Sequence, residues 1–364
     1  MCDLVSILIP AYNAGKWIKQ TINSVLSQTW PQKEIIIVND GSVDETLAIA
    51  KTFESKSVKV VSQENRGASA ARNRAYSFAQ GEYIQWLDAD DLLARNKISA
   101  QMKVAEKEQS SLTLYSSAHG VFHWRPQKAR FKDDFLWQDL TPIQWMIKTF
   151  SYNLWMSPAV YLMNRKLAEK GGPWNEALSL NDDGEYFFRI ISMSERVKFV
   201  REARSYYRLS GFGQLSMSAS EKACESLFLS LDLSIRHLRS LEDSERTRRV
   251  SLAALQKSLY RFYPERAELV EKINALASEL GGKLSAPNHG WKFDFVRSVF
   301  GWKTANWVMP ALRKLKLSMI VKWDELLYRI ALSSRSGNGV LKSCPSDEDQ
   351  KSIDFNNLDR NAKE

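Results

Sequence analysis

The chain has 364 residues, 44% of them apolar, with 12 Trp, 16 Phe and 12 Tyr, a composition that excludes global disorder and supports a sizeable core. Its three cysteines, Cys2, Cys224 and Cys344, are odd in number and far apart, which fits neither a disulfide framework nor a zinc site. The net charge of +9 is local: residues 1–100 carry 11 basic and 11 acidic side chains, whereas 281–335 carry ten basic against three acidic, net +7.

In chain order, Val5–Pro10 is a continuously apolar run, as expected of a strand covered on both faces. From Lys16 to Thr29, Ile18, Ile22, Val25 and Leu26 recur at helical spacing. Lys33–Val38 predicts a second buried strand and Asp44–Phe53 a second helix. Val58–Val61 predicts a third strand, Gly67–Ala79 an Ala-rich helix, and Glu82–Leu87 a fourth strand. Such alternation predicts a parallel sheet with helices on its faces. Between 112 and 215 the pattern is mixed, with strands at Leu112–Val121 and Ala159–Met163 and helices at Pro142–Phe150 and Asp183–Met193. After Ser220 it becomes helical, with an apolar stripe of Leu227, Leu231, Ile235 and Leu238, and from Ser334 it is polar, the composition of a disordered tail.

In parallel sheets ligands bind beyond the carboxyl ends of the strands. Here those ends read Pro10-Ala11-Tyr12-Asn13, Asn39-Asp40-Gly41-Ser42, Glu64-Asn65-Arg66-Gly67 and Asp88-Ala89-Asp90-Asp91. The Asp88–Asp91 run is the strongest local signal. A strand aims closely spaced carboxylates at one point, and Mg2+ or Mn2+ prefers carboxylate oxygens shared with substrate phosphates. The bland reading is a cap on the following helix, and Asp91 is the most structural of the three aspartates. Asp40 can accept hydrogen bonds from a base or ribose, or simply close a turn. Arg72, one and a half turns into the helix that Gly67 opens, can reach a phosphate or the Asp cluster.

These four blocks resemble the family 2 glycosyltransferases of the GT-A fold, in order and spacing as well as residue type, over residues 4 to 100. The resemblance implies an α/β, Rossmann-like, mostly parallel sheet with helices on both faces, followed by a C-terminal helical region. It implies a donor site for a nucleoside-diphosphate sugar, UDP-linked by preference. Asp40 would bind the base, and Pro10, Ala11, Tyr12 and Asn13 would line the nucleoside. Asp88 and Ala89 would lie along the ribose and diphosphate, with Asn65, Gly67 and Arg72 in the same donor set. Asp90 would ligate a divalent Mn2+ or Mg2+. The family also places a base in an acidic pair opening a helix that ends in Arg; Leu180–Arg189 looks like that block, with Asp183 at the base position. Asp182 stands where Glu is usual and Gly184 where a bulkier residue is frequent. Asp182 and the nearby Trp174 are candidate acceptor residues, Trp174 being equally readable as core.

The expected organisation is a catalytic domain over 1–218 (1–111 donor half, 112–218 acceptor half), a helical region over 219–333 and a polar tail over 334–364. The expected activity is inverting transfer to a hydroxyl of a saccharide or lipid-linked acceptor in cell-envelope or exopolysaccharide synthesis. The alternatives are an inactive nucleotide-binding scaffold and a nucleotidyltransferase, which would release pyrophosphate. The chain opens on no basic-then-apolar leader, so the cytoplasm is the expected location. Aromatic, aliphatic and basic residues over 281–335 predict peripheral contact with an anionic membrane surface, and no signature of nucleic-acid binding accompanies that charge.

Overall fold

The structure, a computed structural model, describes residues 3–209, 220–287, 298–299, 301, 315 and 317–331. The apolar runs near the N-terminus form β1 (Val5–Ala11), β2 (Lys33–Asp40), β3 (Val58–Gln63) and β4 (Tyr83–Trp86). Their pairings are all parallel, in the order β3-β2-β1-β4. Alternate residues feed two cores. Ile7, Ile9, Ile35 and Ile37 pack with Ile18 and Ile22 of α1 (Ile18–Leu26), while Leu8, Ile36 and Val38 face Ala71 and Ala75 of the helix that follows β3. Burial on both faces is why these strands show no polar alternation. Helices α2 (Thr46–Lys51), α3 (Ala68–Phe78) and α4 (Lys97–Glu108) complete this half.

The second half adds β5 (Leu92–Leu93), β6 (Thr113–Phe122), β7 (Arg130–Phe131), β8 (Leu162–Asn164) and β9 (Arg196–Arg208). The nine-stranded sheet runs β3-β2-β1-β4-β8-β6-β9-β5, with β7 beside β6. Parallel pairing therefore dominates the first half and survives in the second only between β6 and β9; β8 is antiparallel to both its neighbours. The strand expected at Ala159–Met163 is confined to Leu162–Asn164. Pro158 has no N–H for a ladder, and Pro158–Val160 forms a 3-10 turn capped by the Ser157 side chain.

Helices α5 (Pro142–Tyr152), α6 (Arg165–Gly171) and α7 (Asp182–Met193) pack on the β4–β6 region. A capping box of Thr141 and Gln144 starts α5, and Asn153 in the left-handed conformation (φ 54°) ends it. Beyond 219 come α8 (Glu221–Leu241), α9 (Glu245–Ser258) and α10 (Ala267–Glu279). Leu231, Ile235 and Leu238 of the expected stripe are buried in the same core as Ala71, Trp86 and Tyr186, and Leu227 packs against it. The helical region thus shares one hydrophobic core with the sheet. Residues 317–331 form a further helix whose Asp324 and Tyr328 touch the N-terminal half. The tail over 334–364 lies outside the described residues.

Candidate active site

The loops after β1, β2 and β3 are tied together by their own polar side chains. Asn13, left-handed at φ 48°, receives Val43 N–H on its side-chain oxygen (2.9 Å) and donates its own N–H to Ser42 Oγ (3.0 Å). Asp40 is buried and accepts from Gln63 Nε2 (2.7 Å), Arg66 N (2.9 Å) and Gly67 N (2.8 Å). Gly41 sits at φ +70°, and a Cβ there would lie 2.6 Å from Asn65 N, so the approach of these loops requires glycine. The segments bearing Pro10 to Asn13, Asp40, Asn65 and Gly67 therefore lie side by side at the strand ends, with Tyr12 half exposed. An opening of about 350 Å3 beside them is lined by Asn65, Gly67, Ser69, Glu176, Asp182 and Lys222, among others.

Arg72 joins the Asp88 turn to the start of α7. The side chain is buried on α3, and its two terminal nitrogens divide between two carboxylates: Nη2 donates to Asp88 Oδ1 (2.8 Å) and Nη1 to Asp182 Oδ2 (2.6 Å). Burial alone would lower its pKa, but the attraction of Asp182 and Asp88 outweighs that and raises it, so Arg72 is a fixed cation. Ser69 Oγ donates a second bond to Asp182 Oδ2 (3.0 Å).

Asp183 is next in sequence. Its Oδ1 accepts from Gly184 N (2.9 Å) at the start of α7. Burial is the main force on its carboxyl, followed by the negative charge of Asp182; Arg72 opposes both. The result is a pKa pushed up to about 7. A carboxyl poised there can accept a proton near neutrality and release it again.

On the Asp88–Asp91 turn the three aspartates have different surroundings. Asp91 is wholly buried, accepting from Arg208 N and Ser157 Oγ, each 2.9 Å, and burial pushes its carboxyl well above the usual range. Asp88 has one oxygen on Arg72, and Asp90 is partly exposed. The backbone carbonyl of Asp90 is held by Arg208 Nε (2.7 Å), at the end of β9. Arg208 also donates to His123 O (3.0 Å) and Gln20 Oε1 (2.8 Å), and its guanidinium lies over Trp17 and Phe122.

Arg72 thus brings Asp88 and Asp182 together, with Ala89 and Asp90 on the turn of the first, Asp183 next to the second, and Asp40 at the end of β2. One acceptor expectation needs correction. Trp174 is buried at 2% exposure, stacked on Tyr186 (4.0 Å, 5° between planes) and covered by Arg72 (4.3 Å), so it offers an acceptor no face. Asp182 lines the opening while its Oδ2 is held by Arg72 and Ser69. Ser69, Ser157, Tyr207 and Arg208 were not anticipated. The strand-end rule that singled out the first four loops would have found the last two, because Tyr206-Tyr207-Arg208 ends a strand parallel to β6.

Residues 6–161 match the family model described as Glycosyl transferase family 2. Over this segment the chain is similar to the family 2 glycosyltransferases. The glycosyltransferase GlyG of Streptococcus pneumoniae is 26% identical over 264 residues, covering 66% of this chain and 86% of that one. An uncharacterised glycosyltransferase of Rickettsia conorii is 32% identical over 202 residues; the chain covers only 32% of it. Among solved structures, TarS of S. aureus (residues 1–349, with UDP) superposes with a TM-score of 0.59 at 18% identity, covering 93% of this chain and 95% of that one. The shared architecture is the GT-A fold: an α/β sheet wrapped by helices, continued by a C-terminal helical region.

Proposed function

We propose that the chain is an inverting glycosyltransferase that moves a sugar from a UDP-sugar to a hydroxyl of a saccharide or lipid-linked acceptor, in building a cell-envelope or exported polysaccharide. The observation that carries this reading is the Asp88–Arg72–Asp182 bridge, which locks the donor turn to the helix start bearing Asp183. Asp40 and the Pro10–Asn13 loop hold the nucleoside at one end; Asp183 meets the acceptor at the other. Asp183 takes the proton of the acceptor hydroxyl as its oxygen attacks the anomeric carbon and the bond from that carbon to the diphosphate breaks. Attack opposite the departing diphosphate inverts the anomeric centre. Arg72 keeps the cationic charge needed beside the departing anion. The family relationship and the structural likeness to TarS, solved with UDP, support the donor class.

The turn fits a divalent cation through its hard carboxylate donors. Among the described residues no three acidic, His or Cys side chains form a complete metal cage, so the substrate's phosphates would supply the remaining ligands. Asp90 is the residue that would hold the ion, which would neutralise the diphosphate leaving group. Thermal unfolding with UDP, GDP, CDP and dTDP, with and without Mn2+, tests the donor site. UDP at about 100 times its Kd is expected to add roughly 2.7 kcal/mol of stability, with the Mn2+-dependent part lost in Asp90→Ala. Failure of every nucleotide to stabilise the protein contradicts the reading.

The helix at 317–331 supports peripheral contact with an anionic membrane. One side is pinned to the catalytic domain: Asp324 accepts from Arg125 Nε (2.7 Å) and Trp124 N (2.9 Å), and Tyr328 Oη accepts from Gln20 Nε2 (2.7 Å). Met319, Ile320, Trp323, Leu326 and Ile330 are each at least 45% exposed. That apolar face has the composition of an interfacial helix; the helix itself is neutral, and the net charge of +7 belongs to the wider segment 281–335. No described helix is long and apolar enough to cross a membrane. The full chain should float with vesicles containing phosphatidylglycerol and far less with phosphatidylcholine alone. Trp323→Glu with Leu326→Glu should abolish flotation; unchanged flotation of that variant would rule out this face.

A further inference from the structure

With Trp174 buried, the acceptor side of the crevice lacks the aromatic surface expected from sequence, and another residue occupies that role. We propose that Trp155 is the stacking platform for a pyranose ring of the acceptor, an assignment that rests on the glycosyltransferase reading and gives it an acceptor subsite.

Trp155 follows the left-handed cap of α5 and is 48% exposed. Its indole is held in place from behind. It meets Tyr207 of β9 edge to face (centroids 4.7 Å, 66°) and lies 5.1 Å from the ring of His119 on β6. His119 is buried, its Nδ1 has no hydrogen-bond partner among the described residues, and burial lowers its pKa to about 4, so it backs the indole as a neutral ring. Two further exposed aromatics, Phe135 and Tyr152, stack on each other (4.3 Å) at the end of the same helix, so the exposed surface near the α5 terminus is aromatic as well as polar.

Three observations put Trp155 on the acceptor side. Ser157, two residues on, donates to Asp91 of the Asp88–Asp91 turn. Tyr207, against which Trp155 packs, directly precedes Arg208, whose backbone N–H bonds Asp91 Oδ1 (2.9 Å) and whose Nε holds the Asp90 carbonyl (2.7 Å). The strand order β2-β1-β4-β8-β6-β9 sets the strands behind Trp155 on the opposite side of the Asp88–Asp91 turn from Asp40 on β2. Trp155 and the Asp40 end therefore lie on opposite sides of that turn. An indole face is electron-rich and a pyranose presents weakly positive C–H bonds along one face, so the two stack with little conformational entropy lost. No hydrogen bond or charge ties Trp155 to one sugar, so it fixes the ring plane while other groups choose the sugar.

The test uses saturation-transfer NMR on the full chain with UDP and Mn2+ present, and cellobiose, lactose, maltose and N,N′-diacetylchitobiose as probes. Wild type should transfer saturation to the ring protons of at least one disaccharide. Trp155→Ala should reduce that signal by about fivefold or more, and Trp155→Phe should keep at least half of it. The UDP-induced thermal shift should be the same in all three proteins, which separates loss of the platform from loss of the fold. An undiminished disaccharide signal in Trp155→Ala overturns the proposal, as does a wild type that binds UDP and none of the disaccharides. A wild type that does not bind UDP overturns the glycosyltransferase reading itself.

Discussion

Asp183→Asn should lower the rate of sugar transfer by roughly 10^2- to 10^4-fold while leaving UDP-induced stabilisation intact, because removal of a general base affects the chemical step and not donor binding. Steady-state kinetics beside a nucleotide thermal shift read both quantities on one preparation. Wild-type activity carries a second signature. With the Asp183 pKa raised to about 7, kcat/KM should fall about tenfold per pH unit below 7 and level off above it. Since the charge of Asp182 raises that pKa, Asp182→Asn should move the acidic limb to lower pH. The same environment has a stability cost of determinate sign. A carboxyl whose folded pKa exceeds its unfolded value stabilises the fold at acid pH and loses that contribution as pH rises from about 4 to about 7. Asp183→Asn should therefore melt higher than wild type at pH 8, with the difference closing as the pH falls. A variant both inactive and less stable at pH 8 would show that Asp183 is structural.

The second large effect is expected at Arg72. Its guanidinium is the only cation bonded to both Asp88 and Asp182 among the described residues, and Asp182 is itself buried. Arg72→Met leaves those carboxylates without their counter-charge, and breaking a buried pair in that way costs about 3–5 kcal/mol. The melting temperature should drop by upwards of roughly 5 °C at neutral pH, recovering in part at acid pH as the carboxylates protonate. Arg72 also opposes the upward shift on Asp183, so the acidic limb of any residual activity should move above pH 7. Arg72→Lys cannot span both carboxylates with a planar fork and should show most of the same loss. A Met variant with wild-type melting and activity would mean that the bridge does nothing for the site.

How much of this was legible in the sequence follows from what each signal depends on. The four parallel strands were readable because burial on both faces leaves continuous apolar runs at Val5–Pro10 and Lys33–Val38, and the strand-end rule then located Asp40 and the Asp88–Asp91 turn. Arg72 was flagged by its place early in a helix that begins beside those turns. The second half was harder, because β8 and β6 are antiparallel and β5 and β7 are two residues each, too short for any period to emerge. Trp174 and Trp155 are indistinguishable as letters. One lies under Arg72 and against Tyr186; the other emerges beyond a left-handed cap, and only the packing tells them apart. Arg208 escaped notice because its partners, Asp90 and Gln20, are 118 and 188 residues away in sequence.

The most direct test of the central claim is to follow the purified protein by 31P and 1H NMR with UDP-sugar donors of defined anomeric configuration. The account predicts formation of UDP, absence of pyrophosphate, and a transferred or hydrolysed sugar whose first-formed anomer is opposite to the donor's, all lost in Asp183→Asn. A first-formed product that retains the donor configuration, or release of pyrophosphate in place of UDP, would contradict it.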